Sequence, residues 1–333
     1  MTTRIAINGF GRIGRNVLRA LMDAGRDDLQ VVAINDLTSI ETNAHLFEFD
    51  SVHGRYGRPV SVTEDTMDVG QGPIRVTALR NPEDLPWQDV DVALECTGLF
   101  TNRDDAARHL KNGSKKVLIS APGKGDLKTV VYGVNDDILT AEDAVVSNGS
   151  CTTNCLAPIA QILDQAVGLK RGMMTTVHSY TGDQPVHDIA HNDLYRARAA
   201  ALSMVPTTTG AAKALGLVLP SLDGRITGTA IRVPTPNVSC VDLTFEAGRA
   251  TSVEEVNQIM QDAAEGAYKG ILASTARKLV SVDFNHDPHS AVFAADQTQV
   301  IDETMVRVLV WYDNEWGFSN RMLDTAAVMA RLR

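Results

Sequence analysis

The sequence predicts an α/β chain in two parts: a doubly wound parallel sheet, then an α+β domain whose sheet is mostly antiparallel. Three observations carry this. Through residues 1–150, short apolar runs alternate with helical or irregular stretches, the pattern of a parallel sheet with helices on its faces. A glycine-rich turn, Gly9-Phe-Gly-Arg-Ile-Gly14, joins the first apolar run to the first helical one. Beyond residue 220, long strand-like segments follow one another, with a helical stretch among them.

Composition narrows the function classes. The chain has 333 residues, enough for two domains and a large core. Its formal net charge of −10 speaks against nucleic acid or an anionic membrane as the main partner. Four cysteines in this length do not make a disulfide framework. No apolar run is long enough to span a bilayer. No signal peptide is evident, because Arg4 leads directly into a strand. A cytoplasmic protein without a metal site is therefore expected.

Taken in order, residues 4–35 read as one βαβ unit. Ile5-Ala6-Ile7 is a buried strand. Ile13, Val17, Leu18 and Leu21 mark a helix that stops near Gly25, and Val31–Asn35 is a second strand with Asp36 at its end. A strand, a G-x-G-x-x-G turn, a helix and an acid 22 residues after Gly14 together make a Rossmann-type dinucleotide fingerprint. Gly9 permits the turn, Gly11 lets backbone approach a pyrophosphate, and Gly14 lets helix and strand pack. The N–H groups at Arg12 and Ile13 would hold the pyrophosphate at a helix N-terminus. Asp36 would accept hydrogen bonds from the adenosine ribose and repel a 2′-phosphate, favouring NAD.

Further strands are expected at Ile74–Leu79, Val90–Cys96, Val117–Ser120 and Val130–Val134, with Arg103–Leu110 helical or irregular. Arg80, Thr97, Gly98 and Ser120 fall at strand carboxyl ends, where such sheets bind ligands, and are candidate cofactor contacts. The first domain is placed at 1–150 and the second at 151–314. A C-terminal helix at 315–333 is expected to pack back onto the first.

The second domain opens on Cys151. The apolar run Ala144–Val146 leads into it, and Leu156, Ile159, Ile162, Leu163 and Val167 repeat at helical spacing after it. Cys151 thus stands at a helix start, where free N–H groups and the helix dipole favour a thiolate, the nucleophilic form. Cys155, one turn on, reads as packing. Pro158 should bend or locally disrupt the helix. Met173–Tyr180 is strand-like and carries His178. Residues 181–204 are polar and weakly periodic, as functional or partner-contacting segments are. Strands are expected at Thr227–Val233, Val238–Phe245 and Thr304–Tyr312, and a helix at Val253–Ala267.

These features together resemble the phosphorylating glyceraldehyde-3-phosphate dehydrogenases over essentially the whole chain. The markers are Ile7-Asn-Gly-Phe-Gly-Arg-Ile-Gly-Arg15, Asp50-Ser-Val-His-Gly54, Ser150-Cys-Thr-Thr-Asn-Cys155, Pro234-Thr-Pro-Asn-Val238 and Trp311-Tyr-Asp-Asn-Glu-Trp-Gly317. The resemblance implies a homotetramer, with the segment after His178 at subunit contacts. It implies that Cys151 attacks an aldehyde with His178 as base. It assigns the substrate phosphate to Thr181 and Arg232, and the attacking inorganic phosphate to Ser150, Thr152, Arg196, Thr209 and Gly210. Arg198 reads instead as an interface ion pair. Asn314 resembles the residue that holds the nicotinamide carboxamide.

Three positions depart from the family pattern. Gly149 replaces a usual alanine, which should loosen the turn before Cys151. Phe318 replaces a common tyrosine, and Ala190 stands where strictly NAD-dependent members often carry proline. Two rival readings are an erythrose-4-phosphate dehydrogenase, which generally lacks the Thr-Gly pair of the second phosphate site, and a non-catalytic NAD-binding redox sensor. A full set of phosphate ligands would have no purpose in the sensor.

Overall fold

The structure, a computed structural model, describes residues 2–332. Contacts divide the chain into two units, Met1–Ser150 with Ser319–Arg333, and Cys151–Phe318.

The first unit is built on a nine-stranded sheet. Its strands are β1 (Thr3–Asn8), β2 (Leu29–Asn35), β5 (Ser61–Val62), β6 (Thr66–Asp68), β7 (Pro73–Thr77), β8 (Val92–Glu95), β9 (Lys116–Ile119), β10 (Lys128–Thr129) and β11 (Val145–Ser147). A two-stranded ribbon, β3 (Phe49–Asp50) and β4 (Gly54–Arg55), stands apart. The helices are α1 (Arg12–Ala24), α2 (Ile40–Glu48) and α3 (Arg103–Ala106). The order is β10-β11-β9-β8-β1-β2-β7-β6-β5, parallel from β10 to β7 and antiparallel beyond. The chain runs outward from β1 through β2 to β7, then returns to β8 on the other side of β1. Strand order therefore reverses between β1 and β8. Their carboxyl ends, Asn8 and Glu95, flank the crevice where an open α/β sheet takes its ligand.

Local sequence explains the first helix. The α1 stripe of Val17, Leu18 and Leu21 is buried, and Gly25 ends the helix in the left-handed conformation at φ 60°. Val130–Val134 is not a strand. Pairing stops at Thr129, and Asn135 takes over the backbone: its Oδ1 accepts from Val131 N and its Nδ2 donates to the Thr129 carbonyl. Val130 and Val131 are buried, and the chain turns from Tyr132 onward. Arg103–Leu110 is a single α turn continued as a 3₁₀ helix to Asn112.

The second unit holds α4 (Cys151–Val167), β12 (Leu169–Ser179), β13 (Val205–Thr208), α5 (Ala211–Val218), β14 (Ile226–Val233), β15 (Ser239–Ala247), α6 (Val253–Glu265), β16 (Leu272–Thr275), β17 (Ala291–Ala294), β18 (Gln299–Ile301) and β19 (Met305–Tyr312). Its sheet order is β13-β14-β12-β15-β19-β17-β16, with β18 also on β19. Most pairings are antiparallel, but β12–β14 and β16–β17 are parallel. Pro206 lies in the edge strand β13, where its missing N–H costs no ladder bond. Helix α4 runs unbroken through Pro158 and packs on this sheet. The helix is not interrupted at the proline, and residues on both sides of it are buried. Residues 181–204 form turns without regular elements. The last helix, α7 (Trp316–Arg331), passes from the second unit into the first. Among the described residues, no helix is long and apolar enough to cross a membrane.

Candidate active site

The first unit presents a cradle at the switch point. Gly9 has φ 91°, and a Cβ there would meet Thr97 N at 2.6 Å. A Cβ on Gly14 would collide with the Gly9 carbonyl oxygen. Around Gly11, the residue before α1, a Cβ would meet nothing within 4 Å. Backbone is thus tight where helix, turn and strand must pack, and open where a ligand must approach. No side chain caps α1, so the N–H groups of its first turn, Arg12 and Ile13 among them, face outward for an anion. The Arg12 side chain pairs with Asp50 at 2.5 Å rather than with the turn.

Asp36 stands at the end of β2. Its Oδ2 accepts from Phe10 N at 2.8 Å and its Oδ1 from Thr38 N at 2.9 Å, tying the glycine turn to the acid. Both oxygens keep lone pairs for ribose hydroxyls. Thr97 and Gly98 follow β8, Ser120 follows β9, and Arg80 is exposed just beyond β7. Glu95, which sequence reasoning passed over, holds this rim together. Fully buried, it accepts from Thr97 N, Asn8 Nδ2 and His109. Asn8 in turn accepts from Asn35, which holds the chain after β7 through Leu79 N. These groups fit a dinucleotide: a donor-rich helix end for its diphosphate and a fixed carboxylate for its ribose.

The second unit presents the cysteine. Cys151 opens α4 and His178 lies near the end of β12; Sγ and Nε2 are 3.5 Å apart. Strand register puts Arg232 of β14 directly beside His178. His178 is buried, and burial together with the positive charge of Arg232 pushes its imidazole down to about 3. The ring is neutral in the working pH range. Burial pushes the Cys151 thiol up, while Arg232 and the donors of Thr152 pull it back; the net direction is upward. Desolvation thus opposes the helix terminus at this thiol.

The residues assigned to phosphates divide. Arg232 has no carboxylate in ion-pair reach among the described residues, and its Nε is buried without a partner. Arg196 is already engaged: Nη1 with Asp183 at 2.8 Å and Nε with Thr207 at 3.0 Å. Thr209 and Gly210 precede α5, where Thr209 Oγ1 accepts from Ala211 N. Ser150 and Thr181 are half-buried. The Thr152 side chain is buried, its hydroxyl 2.9 Å from that of Tyr312, so its side chain turns inward rather than towards a surface anion. Arg198 pairs with Asp188 within the chain.

Sequence reasoning missed Tyr312. Its buried hydroxyl lies 2.9 Å from both Thr152 and Thr176, and its ring stands edge-on to His178 at 5.9 Å. The signal was present: β19 alternates Val306, Val308, Val310, Tyr312 inward, and a buried tyrosine needs a partner for its hydroxyl. Ser179 and Ser239 were also missed. Both donate to Asn314 Oδ1, at 2.8 and 2.9 Å, which leaves the Asn314 Nδ2 donors uncommitted. Ser239 follows Val238, a β-branched residue held at φ 67°. Such strain persists only where surroundings enforce it, here a packed cluster with Phe284 and Val292.

Comparison with known proteins agrees with this geometry. Residues 3–103 match the family model described as glyceraldehyde 3-phosphate dehydrogenase, NAD binding domain, and residues 150–314 match its C-terminal domain. The chain is 65% identical over 332 residues to a glyceraldehyde-3-phosphate dehydrogenase of Cereibacter sphaeroides, covering 100% of both chains. It is 64% identical over 334 residues to one of Xanthobacter flavus, again covering 100% of both. It is 54% identical to one of Geobacillus stearothermophilus, covering 99% of each.

Proposed function

The chain belongs to the glyceraldehyde-3-phosphate dehydrogenase family, and from that premise we propose that it oxidises D-glyceraldehyde 3-phosphate, with NAD and inorganic phosphate, to 1,3-bisphosphoglycerate. The observation that carries this is the Cys151–His178 pair, 3.5 Å apart, with an arginine beside it that lacks an anion.

Bound NAD supplies the hydride acceptor. The protein's own residues do the rest. His178 Nε2 takes the thiol proton, and Sγ bonds to the aldehyde carbon. The imidazolium returns the proton to the new oxyanion, giving a hemithioacetal on Cys151. When hydride leaves that carbon, Nε2 takes the hydroxyl proton and a thioester remains. An oxygen of inorganic phosphate then attacks the thioester, and the thiolate of Cys151 departs and is reprotonated. Arg232 and Thr181 hold the substrate phosphate. Arg196, Thr209, Gly210 and Ser150 hold the attacking one, Thr152 through its backbone N–H. Arginine forks and hydroxyl or amide donors suit both anions. Asn314 donates to the nicotinamide carboxamide.

We also assign the chain to a homotetramer in the cytoplasm. Val186, Ile189, Leu194, Leu202 and Met204 are exposed within one segment, apolar side chains that a partner subunit would cover. The four cysteines are free, as a reducing compartment keeps them. The direct test is NADH formation from glyceraldehyde 3-phosphate with and without inorganic phosphate. Sustained turnover only with phosphate is expected; sustained turnover without it would point to hydrolysis of the acyl group and remove the second anion site from the scheme.

A further inference from the structure

Two hydroxyls meet at the amide oxygen of Asn314. Ser179 Oγ donates to Oδ1 at 2.8 Å, and Ser239 Oγ donates to the same atom at 2.9 Å. Both serines are fully buried, and Asn314 is nearly so. They come together because the ladder between β12 and β15 stops at Val177 and Cys240. Val238, left-handed at φ 67°, turns the chain just before Ser239. Beyond the ladder, the Ser179 N–H donates to Ser239 Oγ at 3.0 Å. That bond occupies one lone pair of Ser239 and leaves its proton for Asn314. Reversing the amide would put its nitrogen against both hydroxyls. Their protons would then keep only the 3.4 Å contact between the two oxygens. Buried donors without acceptors cost free energy, so this arrangement selects one orientation of the amide, with Nδ2 turned away from the serines. The main chain beside it is fixed as well. The Asp313 carboxylate accepts from Asn237 Nδ2, His286 N, Glu315 N and Trp316 N.

We propose that Ser179 and Ser239 are positioning residues that hold the Asn314 amide with its nitrogen towards the carboxamide oxygen of the nicotinamide. They act through Asn314 rather than on the cofactor itself. The proposal rests on the reading of Asn314 as the ligand of that carboxamide. Its consequence is a selectivity. A fixed donor recognises the carbonyl oxygen and makes no use of the carboxamide NH2 group, so a cofactor carrying a methyl ketone in place of the carboxamide keeps the contact. With both hydroxyls gone, the amide turns between two orientations, and only one of them meets a carbonyl oxygen.

The test is calorimetric titration of the full chain with three ligands. They are NAD, its acetylpyridine analogue (a methyl ketone replaces the carboxamide) and ADP-ribose, which lacks the ring. Losing one neutral hydrogen bond weakens binding by about twofold to tenfold. Asn314→Ala should do this equally for NAD and the analogue and leave ADP-ribose unchanged. Ser179→Ala combined with Ser239→Ala should weaken NAD and spare ADP-ribose in the same way, and should add nothing once Asn314 is alanine. Unchanged NAD affinity in the serine variant overturns the proposal. A loss of ADP-ribose affinity there, or the same loss of NAD affinity with and without the Asn314 side chain, assigns the serines a general structural role and overturns it too. So does an Asn314→Ala effect confined to NAD, because the amide would then accept from the carboxamide NH2 group. If Asn314→Ala binds NAD as tightly as wild type, the reading of Asn314 has failed instead, and the proposal falls with it. If the double serine variant does not fold, the two single variants decide by the same comparison.

Discussion

At the residue scale, the site depends on a few groups whose surroundings set their chemistry. Cys151 Sγ lies 3.5 Å from His178 Nε2, so the proposed nucleophile and base act as a unit. Cys151→Ser should cut NADH formation by several orders of magnitude, on the scale of the ~10⁶ lost when a hydrolase loses its nucleophile. NAD affinity, measured by fluorescence quenching, should hardly change, since the glycine turn is elsewhere in the chain. Appreciable turnover in that variant would move the nucleophile away from Cys151. We assign the reading of the ribose to Asp36. A hydrogen bond to a charged group contributes roughly 1.5–3 kcal/mol, so Asp36→Ala should narrow the NAD:NADP ratio of kcat/KM by about tenfold to a hundredfold. The variant should also bind NAD more weakly, because Phe10 N loses its acceptor. An unchanged ratio would assign cofactor choice to another side chain.

At the element scale, the turn before α4 rests on Gly149, whose backbone is left-handed at φ 66°, with its N–H donating to Ser147 Oγ. A left-handed residue with a Cβ carries a penalty of roughly 1–2 kcal/mol. Gly149→Ala should therefore lower stability by about that amount, read as a lower denaturation midpoint at unchanged slope. A variant as stable as wild type would show that the turn relaxes freely. The first βαβ unit and α4 were legible because periodicity and turn residues are local signals. The failure at Val130–Val134 has the same origin in reverse: an apolar run reads as a strand whether or not another strand lies beside it, and here a side chain, Asn135, fills that place.

At the scale of the whole molecule, the end of the chain is tied back to its beginning. Arg26, just past α1, bonds Asp324 of α7 at 2.7 Å and Asp28 at 2.8 Å. The hydrogen bonds from Arg26 hold the Asp28 carboxyl below its ordinary range. A carboxyl depressed in the folded state contributes stability that is present above its unfolded pKa, about 3.9, and lost as pH falls through the folded value. Asp28 is more than a third exposed, so solvent screening limits the contribution to at most about 1 kcal/mol. Asp28→Asn should melt slightly below wild type at pH 7, and the difference should close in acid below the unfolded pKa. A gap independent of pH would mean that packing, not charge, is what the substitution removes.

The sequence by itself determined the strand–glycine turn–helix that receives a dinucleotide, the acid after β2, the cysteine at a helix start and the histidine on a strand. Each follows from the order of residues over one or two elements, which local backbone physics converts directly into structure. The tertiary structure alone decided what these groups do to one another. Arg232 reaches His178 across 54 residues only because β12 and β14 pair in parallel register. Tyr312 reaches Thr152 across 160 residues because α4 packs against β19. The upward displacement of the Cys151 thiol opposes what its helix position alone predicts. Desolvation is a sum over every neighbour packed around an atom, and those neighbours come from distant parts of the chain.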